Sequence, residues 1–599
     1  MKKYIPLLMT CVFLCAYGAT SAQQLLIRNV QVVDVEKQRI LPAQQVYINN
    51  GMIEKVEKVN KKMPPVGTQI IEGNNRYLSP GFIDGHVHFF QSGSLFTRPD
   101  ALDLRKYQPY DKEITWVKSH IRDFLNRYLA VGITGVIDVG ATYNFLQLRD
   151  SFVNHSGAPS IYMTGPLITT WEPDVFRNLA KDEPFQEMKT VEDAQRLVKA
   201  QLPFKPDFIK VWYIVTDKDK EAGARKKLPL VKAVIDEAHA NHLKVAIHAT
   251  ERITAQLAVE AGADFLVHNV DDEIIKPDFI QLLKSHQTVL CPTLVVASNY
   301  MKVFGDSYSF STEELNLVHP HPAATIIDYP WPDTIMGNQY IKYMRKTGIP
   351  NQLQTDSISN INLKLLADAG VYIVTGTDAG NIGTQHATSY RNELMAMQQA
   401  GLSMWQLLQA SSINGARAMG KEATEGSIAK GKKAQFILLN KNPLDSLANW
   451  SAIDLVYNKG MFIAPDTIVQ LSATDLVQQQ LNGYNAHNLE AFLAPYAEDV
   501  EIYKFPNTLT VKGKDKMRKM YGFIERMPKL FCKLQNRIVN GNIVIDHEEI
   551  WGVDNKPFYG IAIYEIEREK LVKYIFLNKH YYYNYYTFLF HSCLPNFFL

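Results

Sequence analysis

Two histidines, His86 and His88, stand two positions apart in the segment GFIDGHVHFF. Side chains alternate between the faces of a β-strand, so both imidazoles lie on the same face. At the carboxyl end of a barrel strand that face opens on the barrel mouth, where two imidazoles can hold one metal ion. The pair alone is a weak signal, and its place at the end of a predicted strand gives it weight.

Three further side chains that can bind metal occupy matching positions in other apolar segments. His248 ends KVAIHA, His268 ends DFLVHN, and Asp378 ends VYIVTGTD. A single histidine is more often a hydrogen-bonded polar residue than a ligand. Several imidazoles and a carboxylate at strand ends favour a metal centre, and nitrogen and oxygen ligands suit Zn²⁺, with Mn²⁺ or Co²⁺ as substitutes.

Lys210 lies near the end of the apolar segment DFIKVW. At a barrel mouth its ammonium would point into a cavity that holds metal cations, and like charges repel. Two interpretations remove the conflict. Either Lys210 pairs with a carboxylate, or it reacts with CO₂ to form a carbamate, an anion that can bridge two metal ions. The residues leave both open.

The elements that must position these residues alternate between strands and helices over residues 77–420. Amphipathic helices fit between most apolar segments, for example at 230–242 and 252–262. This order predicts an α/β fold, a (β/α)₈ TIM barrel whose active site lies at the carboxyl ends of the strands. The predicted strands are 78–88, 132–140, 160–165, 207–212, 244–249, 264–269, 288–294 and 371–380.

A long segment, 295–357, separates the last two predicted strands and is rich in Pro, Tyr and Trp. Loops of this length in a compact domain are usually functional. A disordered insert would leave its aromatic side chains unburied. We therefore predict a lid or a substrate wall.

The regions that flank the barrel predict two more units. Residues 23–76 and 421–469 contain short strands, with a hairpin turn at Asn50-Gly51, and together predict a composite β-sandwich. Residues 471–579 begin with a helical segment and continue as strands, which predicts a separate α+β domain. The Tyr-rich residues 580–599 fit neither period and receive no structural interpretation.

The N-terminus predicts export. Residues 1–22 combine Lys2 and Lys3 with an apolar run and a small-residue cleavage site, as in a signal peptide, and a retained anchor is the alternative. We expect a periplasmic or secreted protein without a transmembrane segment. A net charge of +2 gives no reason to expect nucleic acid as a partner.

Several motifs together resemble the metal ligands of the amidohydrolase superfamily. These are GFIDGHVH, DFIK, TGTDAG and the isolated strand-end His248 and His268, while GSIAKGKKAQFILLN resembles the strand pair that closes the family's β-sandwich. DFIKVW, HNVDDE, CPTL and GTDAGNIGTQHATSYRNEL are most similar to the imidazolonepropionase-like branch, which includes carboxylated-lysine prolidases. The resemblance covers about residues 25–465, and it departs at Gln435, where members commonly carry Asp.

The resemblance implies a binuclear centre. One Zn²⁺ would be held by His86, His88 and Asp378, the other by His248 and His268, with carbamylated Lys210 as the bridge. It further implies that a metal-activated water attacks a C–N bond of a small substrate, while Asp378 takes a proton and passes it to the leaving amine.

Two other residues are candidate substrate contacts. His386, in the loop after the last predicted strand, would bind a substrate carboxylate or oxyanion, unless it is an exposed loop histidine. Tyr213, just beyond Lys210, would contact substrate, unless it packs in the barrel wall. No residue is assigned to an organic cofactor.

The C-terminal segment 471–579 resembles the NTF2-like (SnoaL-like) family, on QQQLNGYNAHNLEAFLAPYAEDVEIY, GNIVIDHEEIWG and EREKLVKYIFL. That family forms a cone of curved sheet and helices around a pocket and commonly pairs, so the resemblance implies a homo-oligomer through this domain. Tyr503-Lys504 stands where the ketosteroid-isomerase pattern has an acidic base, which argues against that activity. His547 and Glu549 are expected to be ordinary strand residues.

Three hypotheses about function follow. The first is a metal-dependent amidohydrolase that cleaves an amide, peptide-like or cyclic amide bond of a small substrate. The second is an Xaa-Pro-type dipeptidase in particular. The third is a catalytically silent binding protein that uses the NTF2-like pocket, and metal analysis separates it from the first two.

Overall fold

The computed structural model describes residues 24–331 and 333–578, and the chain has a mixed α/β fold. The predicted signal peptide, 1–22, and the tail, 580–599, lie outside the described residues. Within the described ranges, no helix has both the length and the apolar character needed to cross a membrane.

In the described part of the chain, the strands are β1 Gln24–Asp34, β2 Arg39–Asn49, β3 Met52–Lys58, β4 Gln69–Glu72, β5 Tyr77–Pro80, β6 Phe82–Val87, β7 Ile133–Asp138, β8 Ser160–Met163, β9 Leu167–Thr169, β10 Phe185–Glu187, β11 Ile209–Trp212, β12 Val245–His248, β13 Phe265–Val267, β14 Val289–Cys291, β15 Phe436–Leu439, β16 Ile453–Asn458, β17 Met461–Ile463, β18 Tyr496–Lys504, β19 Thr508–Lys512, β20 Phe531–Asn540, β21 Ile543–Trp551, β22 Phe558–Glu567 and β23 Lys570–Asn578. The helices are α1 Tyr110–Ala130, α2 Tyr143–Asp150, α3 Val191–Gln201, α4 Lys220–Ala240, α5 Arg252–Glu260, α6 Pro277–His286, α7 Leu294–Phe304, α8 Thr312–Leu317, α9 Pro320–Ile327, α10 Thr334–Tyr343, α11 Ile349–Asp368, α12 Ser389–Gln399, α13 Met404–Ala410, α14 Ile413–Ala418, α15 Ala473–Asn485, α16 Leu489–Leu493 and α17 Lys514–Tyr521.

The two flanks of the middle region meet in one sheet. Its strand order is β17-β16-β15-β5-β1-β2-β3, and β4 pairs with β1. The junction is the antiparallel pair β5–β15, in which Pro80 faces Phe436 and Tyr77 faces Leu439. The β2–β3 turn has positive φ at both Asn50 and Gly51, as a type I′ turn requires, so the predicted hairpin is confirmed.

Parallel strands build the middle region. β6, β7 and β8 form one sheet, and β10-β9-β11-β12-β13-β14 form another. The amide of Asp207, just before β11, donates to Met163 at the end of β8 (2.9 Å). At the other edge, Leu290 of β14 exchanges hydrogen bonds with residues 372 and 374, and Gly85 of β6 donates to Thr375. These bonds connect both edge strands of the three-stranded sheet, β8 and β6, to the second sheet, on the β6 side through residues 372–375.

One apolar cluster joins the strands of these two sheets. It takes at least one side chain from each of β6, β7, β8, β12, β13 and β14, together with Phe208 before β11 and Val374. The predicted eighth strand, 371–380, differs from expectation because it makes only isolated bridges, at Ile373 and Ala379. Positive φ at Asp378 and Gly380 interrupts its extended backbone. The short strands β9 and β10 were not predicted.

The segment between β14 and residue 371 is helical, not the loop that its composition suggested. Residues 294–348, called here the insertion, contain α7 to α10. Local signals explain two of these helices: Ser311 and Glu314 form a capping box at α8, and Pro320 is the first residue of α9. The insertion's apolar side chains share one buried cluster, so it is a packed unit.

The C-terminal region forms a six-stranded sheet, in the order β19-β18-β23-β22-β21-β20, covered by α15, α16 and α17. Tyr503-Lys504 end β18, and His547 and Glu549 lie on β21, as expected for strand residues. Several large side chains of this domain are buried in its interior. Tyr496, Tyr564, Tyr574 and Glu548 are all at most 8% exposed.

Candidate metal centre

His86, His88 and Asp378 form a close triangle of potential ligand atoms. Nε2 of His86 and Nε2 of His88 are each 3.2 Å from Asp378 Oδ1, and the two nitrogens are 3.3 Å apart. His86 and His88 come from β6 and the residue after it, whereas Asp378 follows the segment that bonds to β6. The period-2 alternation of the strand therefore brings both imidazoles to one carboxylate, as predicted.

These distances fit a metal ion. Zinc lies about 2.0–2.2 Å from nitrogen and oxygen ligands, and neighbouring ligands of a tetrahedral zinc are then roughly 3.3–3.5 Å apart. The three atoms meet this spacing within a few tenths of an ångström, and all three residues are buried. The triangle can thus form one face of a coordination shell that is completed from the open side.

Hydrogen bonds orient this triangle from behind. The Nδ1 of His88 contacts the carbonyl of Gly140 at 2.9 Å, so Nδ1 carries the proton and the Nε2 lone pair faces Asp378. The Nδ2 of Asn381 donates to Asp378 Oδ1 at 2.6 Å. The Nδ1 of His86 has no partner in the described part of the chain, so its tautomer is left free.

His248 and His268 form a second group beside the triangle. Their ring centroids are 4.3 Å apart, and that of His268 is 5.0 Å from that of His86. The Nε2 of His268 is 4.0 Å from Asp378 Oδ2, the oxygen on the other side of the same carboxylate. Its Nδ1 contacts the Thr293 hydroxyl at 2.6 Å. Asp378 therefore lies between the two histidine groups.

Two of these residues have strained backbones. His268 and Asp378 both adopt positive φ, 74° and 61°. Such a conformation disfavours residues other than glycine and persists only where the surroundings enforce it. The chain beside Asp378 is closely packed: a Cβ on Gly376 would lie 2.3 Å from the Cys291 sulfur and 2.8 Å from the His86 nitrogen. The strain is thus concentrated at the candidate ligands.

Burial sets the protonation states of the site. It lowers the pKa of His86 to about 4 and those of His248 and His268 well below their ordinary value. Burial alone would raise the pKa of Asp378, but contacts with His86 and His88 hold it well below the usual range. Neutral imidazoles and an ionised carboxylate are the forms that bind metal.

Lys210 is 1% exposed and lies on β11 between these groups. Burial lowers the pKa of its amine to about 7, although the charges of Asp378 and Asp138 oppose the shift. Among the described residues its ammonium has neither a hydrogen bond nor an ion pair with a carboxylate. No carboxylate of the described residues thus lies within ion-pair distance of Lys210, and with a pKa of about 7 part of the amine is neutral near pH 7.

The structure corrects the two predicted substrate contacts. His386 is 3% exposed, and its ring nitrogens contact the Tyr128 hydroxyl (3.0 Å) and the Gln91 carbonyl (2.8 Å), so both nitrogens are engaged by other residues of the chain. It is no exposed loop histidine either. Tyr213 is fully buried and donates to the Ala224 carbonyl, so it packs in the wall. The place of His386 depends on residues distant in the chain, and that of Tyr213 depends on the helix that follows β11.

Trp212 is the residue that borders the site on this strand. Because side chains alternate, Trp212 shares a face with Lys210, a rule that would have favoured it over Tyr213. Its ring centroid lies 5.8 Å from that of His248 and 5.9 Å from that of the exposed Trp171. These two indoles form an aromatic wall beside the second histidine group.

Two buried carboxyl groups were also missed. Asp84 accepts hydrogen bonds from the amide and hydroxyl of Thr377, and Asp138 accepts from the amides of Phe89 and Gly140. Burial raises the pKa of each to about 7. They tie the strand ends that carry the ligands to one another. Asp138 could have been found, since it ends a predicted strand.

Gln435, the departure from the motif pattern, has a structural role. Its side-chain amide donates to the Thr134 carbonyl, the Ser160 hydroxyl and Asn458 Oδ1 (3.0–3.3 Å). It joins the flank sheet to β7 and β8, far along the strands from the ligand ends. Gln435 makes none of these hydrogen bonds with a candidate metal ligand.

Comparison with known proteins gives two family matches. The model of the amidohydrolase family matches residues 77–463, and that of the SnoaL-like domain matches residues 477–574. Among curated proteins, adenine deaminase 1 from Latilactobacillus sakei is 37% identical over 73 residues, which is 12% of each chain. The chain thus matches a small part of that relative's length.

Solved structures are similar over about three quarters of the chain. A putative prolidase from Bifidobacterium longum is 19% identical, with 74% of this chain and 94% of that chain covered and a TM-score of 0.54. A Xaa-Pro dipeptidase with bound methionine is 20% identical, with 74% of this chain and 100% of that chain covered and a TM-score of 0.54. The A. niger ochratoxinase is 17% identical, with 74% of this chain and 96% of that chain covered and a TM-score of 0.55. At such identities the likeness shows the fold.

Proposed function

Because the chain belongs to the amidohydrolase family and carries a SnoaL-like domain after it, we propose that it is a metal-dependent hydrolase of a C–N bond in a small substrate. The observation that carries this proposal is the triangle of His86, His88 and Asp378 beside a buried, unpaired Lys210. Its framework would be an eight-stranded barrel in which residues 372–376 close the ring between β14 and β6, supported by the hydrogen bonds at both edges of the three-stranded sheet. We further propose that the flank sheet folds over as a composite sandwich.

We propose that two divalent cations, Zn²⁺ for preference, occupy this centre. His86, His88 and Asp378 would hold one, His248 and His268 the other, and Lys210 would bridge them after its amine adds to CO₂ and releases a proton. The bound cations would supply a nucleophile from water at neutral pH and polarise the scissile carbonyl. The donor set fits this use, since it combines neutral imidazoles with an ionised carboxylate.

Asp378 is suited to carry the proton. Its Oδ1 is engaged by Asn381, His86 and His88, whereas Oδ2 faces the side of His268. We propose that Oδ2 takes the proton of the attacking water and returns it to the leaving nitrogen as the C–N bond breaks. The aromatic wall of Trp212 and Trp171 would border the substrate.

A substrate panel tests the function directly. Dipeptides that include Xaa-Pro, N-acyl amino acids and lactams are incubated with the zinc-loaded protein, and release of a free amine is measured. An Xaa-Pro dipeptidase is the second candidate, favoured by the fold likeness to prolidases. No hydrolysis of any class, by a protein that binds zinc, would contradict the proposal. The silent binding protein would be favoured instead if the protein bound no zinc.

Removal of the metal is expected to abolish hydrolysis and to lower the melting temperature. Binding to the folded state alone stabilises a protein by about 2.7 kcal/mol at a hundredfold excess over Kd, a shift of roughly 3 °C for a domain of this size. Chelation followed by calorimetry measures it, and added Zn²⁺ restores both values. A His86→Ala, His88→Ala variant serves as control, because its melting temperature should respond much less to zinc.

Reactivation of the metal-free protein is expected to depend on pH through Lys210. Only the neutral amine reacts with CO₂, and its pKa is about 7. At constant dissolved CO₂ the rate of activation should therefore fall about tenfold per pH unit below 7 and level off above it. The rate is followed after adding Zn²⁺ and CO₂ together. A rate independent of pH between 5 and 7 would argue against carbamate formation.

Export and assembly complete the proposal. The Lys2-Lys3 start and the apolar run after it support cleavage near residue 22 and a periplasmic or secreted location. Pairing of chains through the SnoaL-like domain is proposed from the resemblance of residues 477–574.

A further inference from the structure

The first helix of the C-terminal domain, α15, has a buried face of amide side chains. Gln479, Asn482 and Asn485 are 6%, 3% and 8% exposed, and their spacing of three residues places them along one side of the helix. Buried amides need hydrogen-bond partners. Their partners therefore show what this face is built to hold.

Each of the three amides has a partner on the insertion, more than 150 residues earlier in the chain. Asn485 also donates to the Cys532 carbonyl (2.9 Å) and accepts from the Cys532 amide (2.8 Å), inside its own domain. Gln479 donates to the carbonyls of Leu315 and Asn316 (3.4 Å each) and Asn482 to that of Pro320 (2.8 Å). Two further hydrogen bonds run from Asn485 to Asp328 (3.2 Å) and from Asn488 to Thr312 (2.9 Å). In addition, the ammonium of Lys533 lies over the ring of Trp331. Side chains of the C-terminal domain thus hold α8, α9 and the turn after α9.

The same insertion reaches the metal centre at its other end. Tyr300, on α7, donates its hydroxyl to Asn381 Oδ1 at 2.7 Å, and Arg98 donates to the same oxygen at 2.6 Å. Because that oxygen accepts two bonds, the amide nitrogen of Asn381 must face Asp378, to which it donates at 2.6 Å. The orientation of Asp378 therefore depends on where α7 lies.

An apolar cluster runs parallel to these hydrogen bonds. It joins Ala491 of α16 to Val303 and Phe304 of the insertion and to Ile382, one residue after Asn381. The C-terminal domain, the insertion and the loop after Asp378 therefore share one packed core. A shift at one end changes the packing at the other, since interiors of this density do not deform freely.

We propose that the SnoaL-like domain positions the active site: its α15 amides hold the insertion so that Tyr300 and Asn381 orient Asp378 for proton transfer. Amide-to-carbonyl bonds are directional, so they set the place of the insertion's backbone in a way that an apolar helix face would not. Asn482, Tyr300 and Asn381 are positioning residues, and none of them touches the substrate. The activity readout rests on the proposed function, whereas the structural readout does not.

The test compares two amides on one helix. Asn482→Leu removes the bond to Pro320, while Gln480→Leu is the matched control, because Gln480 is equally buried but bonds to Tyr564 and Tyr496 inside its own domain. Hydrogen exchange of residues 305–331, zinc content and kcat are measured on the full-length, zinc-loaded protein. Thr312→Val removes the bond to Asn488 from the insertion side and serves if Asn482→Leu does not fold.

We expect Asn482→Leu to speed exchange of the insertion about tenfold and to lower kcat about tenfold, with unchanged zinc content and little change in KM. Tyr300→Phe should lower kcat without affecting exchange at α15. Gln480→Leu should change neither exchange of the insertion nor kcat. The proposal is overturned if Asn482→Leu and Thr312→Val both leave exchange and kcat as in the wild type, or if Gln480→Leu alters both equally. If no substrate is found, the exchange data alone decide whether the domain holds the insertion.

Discussion

Replacement of Lys210 by alanine is expected to lower kcat/KM by about a thousandfold and to reduce the bound zinc from two ions to one or fewer. The physical reason is charge. A carbamate at this position would supply the anion that two neighbouring dications require, and without it the metal charges repel each other in a buried site. Loss of several kcal/mol of stabilisation corresponds to this factor, since about 1.4 kcal/mol is tenfold.

Metal analysis and steady-state kinetics of Lys210→Ala measure both effects. Lys220→Ala is the control: Lys220 begins the helix that follows β11, and its side chain is half exposed. Its loss should change activity less than about twofold. Added acetate or propionate should partly restore Lys210→Ala, since a short carboxylate fits the volume that the side chain vacates. Full activity and two zinc ions in Lys210→Ala would remove the bridging carbamate from the mechanism.

Asp378→Asn is expected to reduce kcat by about 10³- to 10⁴-fold. The amide keeps the size of the side chain but has no charge and no oxygen that can take a proton and return it, and general acid–base catalysis contributes up to about that factor. Zinc affinity should also fall, because the amide is a weaker ligand for the ion shared with His86 and His88.

The two losses are separable by raising the zinc concentration. At saturating zinc the binding defect of Asp378→Asn disappears, and the remaining loss of kcat reports the proton transfer. Asp272→Asn is the control, since this carboxylate lies in the loop after His268 and caps α5 by accepting from the Arg252 amide. A variant Asp378→Asn with wild-type kcat at saturating zinc would show that the proton moves by another route.

Local patterns were sufficient to predict the candidate ligands and the strands that carry them. The alternation of side chains on β6 brings His86 and His88 to one face, and each remaining candidate ligand falls at or just beyond a predicted strand. The hairpin at Asn50-Gly51 was equally predictable, because both residues tolerate the positive φ that its turn needs. In each case the deciding force acts between neighbours in the chain.

Other features required the tertiary structure. The insertion appeared to be a loop because Pro and aromatic residues hide its helical period, and its helices are stabilised by a shared core. The amide face of α15 has the pattern of a solvent-exposed surface, yet it is buried against residues 312–328. Hydrophobic periodicity does not distinguish a polar face in water from one that binds carbonyl groups.

His86, His88, Lys210, His248, His268 and Asp378 could therefore be predicted from the sequence as candidate ligands, since their type and their place on a strand are local properties. Their service as a site depends on contacts between distant segments. The sequence predicts that His386 binds substrate, whereas in the folded chain its ring contacts Tyr128, which is 258 residues away in the sequence. Side chains that meet only in the folded chain decide which histidine nitrogen is free and which oxygen of Asp378 faces the cavity. They also decide which helix holds that carboxylate in place. The reason is that a hydrogen bond depends on distance and angle and not on position in the sequence.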